Sequence, residues 1–243
     1  MKRESERGGP TRFLGGPLRQ SEPRDNVLRL MAKDKLCIFD LDGTLYRTET
    51  SFLPTMRRVY EEFSIEYVGD EAVLSLVGET YSTFLAWLIE QGFPTDPGTL
   101  AERITEIEIT SIETQGELYP EVDETLDALR KWGCSIALCT NGDTRYATYV
   151  LGTRGILSHF DVLKTNDDDK QVKSEMVRSL IAELRPKRTF ILGDRYHDIE
   201  AGIANNCVTV GAAYGFGKPE ELEPATHVID QFSDLLEIVK STP

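Results

Sequence analysis

Lys35-Leu36-Cys37-Ile38-Phe39-Asp40-Leu41-Asp42-Gly43-Thr44 decides the fold. Its four consecutive apolar residues, Leu36 to Phe39, are too few for a buried helix and read as a strand covered on both faces. The run ends on two aspartates one residue apart, followed by an Asp-Gly turn signal. The same pattern recurs downstream. Residues 134–139 lead into Thr140-Asn141-Gly142, and residues 188–192 lead into Gly193-Asp194. Residues 207–210 and 227–229 are two further short candidates. Helical periods lie between them: Val122, Leu126 and Leu129; Val177, Leu180, Ile181 and Leu184; Ile199 and Ile203. Apolar strands alternating with amphipathic helices predict an α/β fold, a Rossmann-like parallel sheet flanked by helices.

Residues 46–116 interrupt that alternation with helical periods only. Phe52, Met56, Val59, Tyr60 and Phe63 mark one stripe. Tyr81, Phe84, Leu85, Leu88 and Ile89 mark a second, closed by Gly92 and Pro94, and Leu100, Ile104 and Ile107 mark a third. About seventy residues exceed an ordinary crossover between parallel strands. The block is expected to be an inserted all-helical cap domain, with hinges near 45–50 and 116–120. The aromatic stripe is expected to be its core. The catalytic core is then 35–45 and 117–243.

Residues 1–34 differ from the rest. They are rich in Arg, Gly and Pro, with no sustained apolar period, and read as a disordered leader without a secretory signal, of which residues 1–30 are expected to be dispensable or to come from an upstream start choice. The charge is uneven. Of 27 basic and 41 acidic residues, nine and five fall in 1–35, leaving 18 and 36 in 36–243, a net of −18 there. So acidic a body disfavours nucleic acid as a partner. No apolar stretch is long enough for a membrane span. The four cysteines, Cys37, Cys134, Cys139 and Cys207, form no C-x-x-C pair and read as reduced thiols of a cytoplasmic protein.

Ligands of an open parallel sheet sit beyond the carboxyl ends of its strands. Asp40, Asp42, Thr140, Asn141, Asp194 and Asp198 all fall there, and Lys170 and Lys173 precede the 177–184 helical period. Four carboxylates in one pocket repel one another and call for a divalent cation. All-oxygen ligation suits Mg²⁺. A carboxylate nucleophile or base, a hydroxyl, an ammonium and a metal form the inventory of phosphoryl transfer.

These motifs resemble those of the haloacid dehalogenase-like hydrolases, in the phosphoglycolate phosphatase-like branch with a helical cap. The resemblance spans roughly residues 35–240. It rests on Asp40, Asp42, Gly43 and Thr44 as a DxDGT motif, on Thr140, on Lys173, and on Gly193, Asp194 and Asp198 as GDxxxD. Leu118-Tyr119-Pro120 also resembles the family's cap exit. The family pattern has Pro after the lysine where this chain has Ser174, so Lys170 and Lys164 stand as rivals to Lys173, and Ser174 is a possible helix cap.

The resemblance implies a role for each residue. Asp40 is the nucleophile that becomes an aspartyl phosphate. Asp42 is the acid that protonates the leaving alkoxide and then the base for water. Thr140, Asn141 and Lys173 bind the phosphoryl group. Asp40, the Asp42 carbonyl and Asp194 hold Mg²⁺ with Asp198 in support. A carboxylate at Asp42 favours phosphate esters over halides as substrate, so the expected activity is hydrolysis of a small phosphorylated metabolite. Alternatives are a phosphomutase and a non-catalytic binding protein on the same fold. Only 32 residues separate Thr140 from Lys173, too few for a large second cap. Selectivity therefore falls to 46–116 and the flap at 46–48, where Arg47 is read either as a substrate contact or as a surface residue. Arg195 and His197 read as loop residues, and Asp167-Asp168-Asp169 as a solvated loop more than a second cation site.

Overall fold

The computed structural model describes residues 33–94, 96–167 and 170–242. The expected leader therefore lies outside the described residues except for Lys33 and Asp34. These two are tied to the sheet: Lys33 Nζ donates to the Cys134 carbonyl at 3.1 Å, and the Asp34 carbonyl accepts from the Lys187 and Arg188 amides.

Six parallel strands make one sheet in the order β3-β2-β1-β4-β5-β6. They are β1 (Lys35–Phe39), β2 (Ser135–Cys139), β3 (Val162–Lys164), β4 (Arg188–Gly193), β5 (Val208–Ala212) and β6 (His227–Ile229). Phe39 is level with Leu138 on one side and Leu192 on the other. Asp40, Thr140 and Asp194 therefore leave the sheet at nearly one height. The strand order reverses beside β1, which places the ligand crevice at its end.

Alternation along β1 explains why the whole run is apolar. Cys37 and Phe39 join one buried cluster with Ile136, Leu138 and Leu192, whereas Leu36 and Ile38 join another with Met176, Val177 and Leu180. Both faces are covered by helices, so neither tolerates polar side chains. Cys37, Cys134 and Cys139 are buried free thiols and Cys207 is half-buried.

Between β1 and β2 run four helices, α1 (Glu49–Glu62), α2 (Asp70–Leu74), α3 (Tyr81–Glu90) and α4 (Pro97–Gln115), followed by α5 (Val122–Lys131), which packs on the sheet. The first four share an apolar cluster of their own, built on Met56, Val59, Tyr60, Phe84, Leu88, Leu100, Ile104 and Ile107. Tyr81 departs from the stripe expected to be core and is 45% exposed. The segments entering and leaving this block pair with each other: Arg47 N donates to the Glu117 carbonyl at 2.9 Å and Tyr119 N to the Leu45 carbonyl at 3.0 Å. The remaining helices are α6 (Thr144–Thr153), α7 (Lys173–Leu184), α8 (Tyr196–Ala204), α9 (Pro219–Leu222) and α10 (Leu235–Ser241).

The sequence places neither α9 nor α10, and three further elements have no clear signal in it. The edge strand β3 has three half-buried residues, too few to register as a run. The five-residue α2 is below the length at which helical periodicity can be read. Helix α6 begins at an Asp143 N-cap, whose carboxylate accepts from the Tyr146 amide at 2.7 Å, but buries only Ala147, Val150 and Leu151.

Candidate active site

The β1 terminus turns back sharply after Asp42. Gly43 has φ +77°, and a Cβ there would collide with the Asp194 carboxylate and the Phe216 ring. Only glycine satisfies both demands. The turn leaves Asp40 5% exposed and sets it beside Asp194 and Asp198, 0% and 1% exposed. One carboxylate oxygen from each of the three lies within 4.8 Å of the others. Gly193 serves the same packing, because a Cβ on it would strike the Asp198 side chain.

Lys173 answers part of that charge. Its Nζ donates to Asp40 Oδ1 at 2.6 Å and lies 2.6 Å from Asp198 Oδ1. The ammonium is as buried as the acids it pairs with. Of the three candidate lysines, this is the one brought to Asp40. It opens α7 directly after Val172, so Ser174 sits inside the first turn and caps nothing. Burial pushes the Asp40 carboxyl up, Lys173 opposes it, and the Asp198 and Asp194 charges add to the rise. The residual negative charge is what a hard cation with oxygen ligands fits.

Asp42 faces the other way. Its Oδ1 accepts two hydroxyls, Tyr146 at 2.6 Å and Thr48 at 2.8 Å. Burial raises its pKa, with both hydrogen bonds opposing. A carboxyl held above its ordinary value suits a proton donor. Thr48 belongs to the flap at 46–48 to which the sequence assigns selectivity, with no role toward Asp42, and Tyr146 lies in the first turn of the unrecognised α6.

Thr140 is buried beside the site and accepts from the Gly142 amide at 3.1 Å. The Asn141 side chain reaches across to the helical block, donating to the Gly78 carbonyl at 2.9 Å. Arg195, expected to be a loop residue, joins it there. Its guanidinium donates to the Val77 carbonyl and to Glu79 Oε1 (3.4 Å), and Glu221 holds its Nε at 3.0 Å. The 77–79 loop is thus clasped from below by Asn141 and Arg195. Arg47 is not among the residues brought together. It pairs with Glu117 at 2.6 Å and Glu49 at 3.1 Å in the connecting segments. Asp167 accepts from the Thr144 amide at 2.9 Å, whereas Asp168 and Asp169 lie outside the described residues.

Burial and the Asp198 charge push the Asp194 carboxyl up to about 7. Its unfolded value is about 3.9. Between these pH values the metal-free folded state keeps a proton that the unfolded chain has lost, so stability falls as pH rises through the window. Asp194→Asn removes that loss. Its melting temperature without metal is expected to match the wild type near pH 4 and to exceed it by about 3–10 °C at pH 8. A difference that stays constant across the window in thermal melts shows that Asp194 does not titrate this way.

The family model for haloacid dehalogenase-like hydrolases matches residues 37–212. A phosphoglycolate phosphatase of Haemophilus influenzae is 28% identical over 219 residues, covering 84% of this chain and 98% of the relative. One from Pectobacterium atrosepticum is 26% identical, covering 83% and 90%. Two solved structures share the fold. A predicted phosphoglycolate phosphatase from Haemophilus somnus superposes with a TM-score of 0.78 at 23% identity, covering 86% of this chain and 99% of that one. A beta-phosphoglucomutase from Clostridium difficile superposes with a TM-score of 0.69 at 22% identity, covering 84% and 95%.

Proposed function

The chain belongs to the haloacid dehalogenase-like hydrolase family, and we propose that it is a Mg²⁺-dependent phosphatase acting on a small phosphorylated metabolite. One observation carries the reading. A buried carboxylate held by a lysine, Asp40, and a second one held by two hydroxyls, Asp42, stand at one strand end with two further acids behind them. The names of the curated relatives support phosphate ester chemistry.

In this reading Asp40 attacks phosphorus, forming an O–P bond as the bond to the leaving alkoxide breaks. Asp42 gives that alkoxide its proton. Water then attacks the aspartyl phosphate while Asp42 takes its proton back, and inorganic phosphate leaves. Lys173 neutralises Asp40 and the phosphoryl oxygens. Thr140 and the Asn141 amide hold the remaining oxygens. Asp40, Asp194 and the Asp42 carbonyl would hold Mg²⁺, with Asp198 in support. When bound, the ion neutralises charge that builds on the transferring group. Residues 46–116 act as a cap over a core of 35–45 and 117–243, and the 77–79 clasp is one of the contacts that hold it to the core. No helix among the described residues is long and apolar enough to cross a membrane. The free thiols support a reducing cytoplasm.

The test is hydrolysis of p-nitrophenyl phosphate, expected to need Mg²⁺ and to be lost to EDTA. Release of inorganic phosphate from a metabolite panel, with no isomerised phosphoester, marks hydrolysis over phosphomutase chemistry. Full activity in EDTA, or no release from any substrate, refutes the reading.

A further inference from the structure

Asp42 is held by one of its two oxygens. The hydroxyls of Tyr146, at 2.6 Å, and Thr48, at 2.8 Å, both donate to Oδ1. Among the described residues no hydrogen bond reaches Oδ2. A carboxyl oxygen accepts through two lone pairs, so two donors fill Oδ1. In the neutral acid the proton then belongs on Oδ2, the oxygen left open on this half-buried side chain.

The two donors are mounted differently. Thr48 lies in the segment that enters the helical block, directly before α1. Tyr146 belongs to the core and comes from the first turn of α6, which is fixed at three points. The Asp143 carboxylate accepts from the Tyr146 amide at 2.7 Å. Asp167 accepts from the Thr144 amide at 2.9 Å and from the Thr144 hydroxyl at 2.8 Å. The Tyr146 ring packs on the core cluster that holds Leu138 and Ala147. It also lies against the loop after β2. A Cβ on Gly142 would stand 3.1 Å from Tyr146 Cδ1 and 3.5 Å from Thr140 Oγ1, so glycine there leaves room for the ring beside Thr140. Anchored helix start, packed ring and hydroxyl converge on one oxygen of Asp42.

We propose that Tyr146 is a positioning residue that keeps the transferable proton of Asp42 on Oδ2 in both halves of the reaction. The inference rests on the phosphatase reading. In the first half the Oδ2–H bond breaks, and the proton goes to the leaving oxygen as its bond to phosphorus breaks. In the second half Oδ2 takes a proton from the water that attacks the aspartyl phosphate. Without Tyr146, Oδ1 keeps a free acceptor site and the carboxyl can turn away from the reacting oxygen.

Tyr146→Phe keeps the ring and removes the donor. Release of p-nitrophenoxide needs a proton less than release of phenoxide does. With Mg²⁺, the variant is expected to lose about 10-fold more kcat/KM on phenyl phosphate than on p-nitrophenyl phosphate. Its kcat on p-nitrophenyl phosphate is expected to fall about 10-fold or more, with a burst of p-nitrophenol, because water attack has lost its oriented base. In an Asp42→Asn background Tyr146→Phe is expected to change either quantity by no more than about 2-fold, because the group it serves no longer carries the proton. Wild-type kinetics in Tyr146→Phe, an equal loss of kcat/KM on the two esters, or the same loss in the Asp42→Asn background overturns the inference and leaves the phosphatase reading standing. A wild-type protein that hydrolyses neither ester overturns that reading and this inference with it.

Discussion

Asp40→Asn is expected to lower the turnover of p-nitrophenyl phosphate by about 10³-fold or more while the protein stays folded. An amide nitrogen or oxygen at that position is too weak a nucleophile to accept the phosphoryl group, so the covalent route closes. The fold should tolerate the change for a local reason. Burial already penalises the Asp40 charge, and Lys173 keeps a second partner 2.6 Å away in Asp198. Removing the charge therefore strands no buried cation. The melting temperature is expected to move by no more than a few degrees. Acid quenching of the wild type during turnover of a labelled substrate should trap label on the protein, and Asp40→Asn should trap none. Equal turnover in the two proteins, or equal label, rules out Asp40 as the acceptor.

The legible parts of this molecule are those in which one residue must meet several demands at once. Asp40 ends an apolar strand, and the glycine at 43 is forced by a positive φ and by the Asp194 carboxylate behind it, so motif and backbone are read together. The helical insert was legible because Met56, Val59, Phe84, Leu88, Leu100 and Ile104 keep a helical period around a separate core. The less legible features come from contacts between segments far apart in the chain. Tyr146 reaches Asp42 across 104 positions, and Arg195 reaches the Val77 carbonyl across 118. Nothing local in either sequence neighbourhood encodes such a partner. Arg47, five residues from Asp42, reads as either a substrate contact or a surface residue, and in the structure it pairs with Glu49 and Glu117. Strand β3 was missed because a three-residue edge strand needs little apolar surface to pair with β2.

Lys173→Met is expected to be the most destabilising change at the site and to abolish activity as well. The ammonium is 7% exposed and lies between Asp40 and Asp198, with Asp194 within the same few ångströms. Methionine fills much of the same volume, so the packing loss is small. The charge loss is large, because three buried carboxylates are left with no side-chain cation bonded to them among the described residues. Breaking a buried pair by removing one partner costs about 3–5 kcal/mol. That cost depends on pH with a definite sign. Asp40 and Asp194, both pushed up by burial, bind protons more tightly in the folded state than in the unfolded chain, so low pH relieves the repulsion and stability falls as pH rises. Without metal, the deficit of Lys173→Met relative to wild type is therefore expected to be larger at pH 8 than at pH 5. Mg²⁺ should narrow it, because a divalent cation among the same oxygens replaces the missing charge. Metal does not restore function. The lysine also bonds Asp40, and in the proposed mechanism it neutralises the phosphoryl oxygens; losing one such electrostatic contact costs about 10²–10³-fold in rate. Denaturant unfolding at both pH values, with Mg²⁺ and with EDTA, checks the stability, and p-nitrophenyl phosphate hydrolysis checks the chemistry. A deficit that is the same at pH 5 and pH 8 and indifferent to Mg²⁺ would mean that Lys173 stabilises by packing alone.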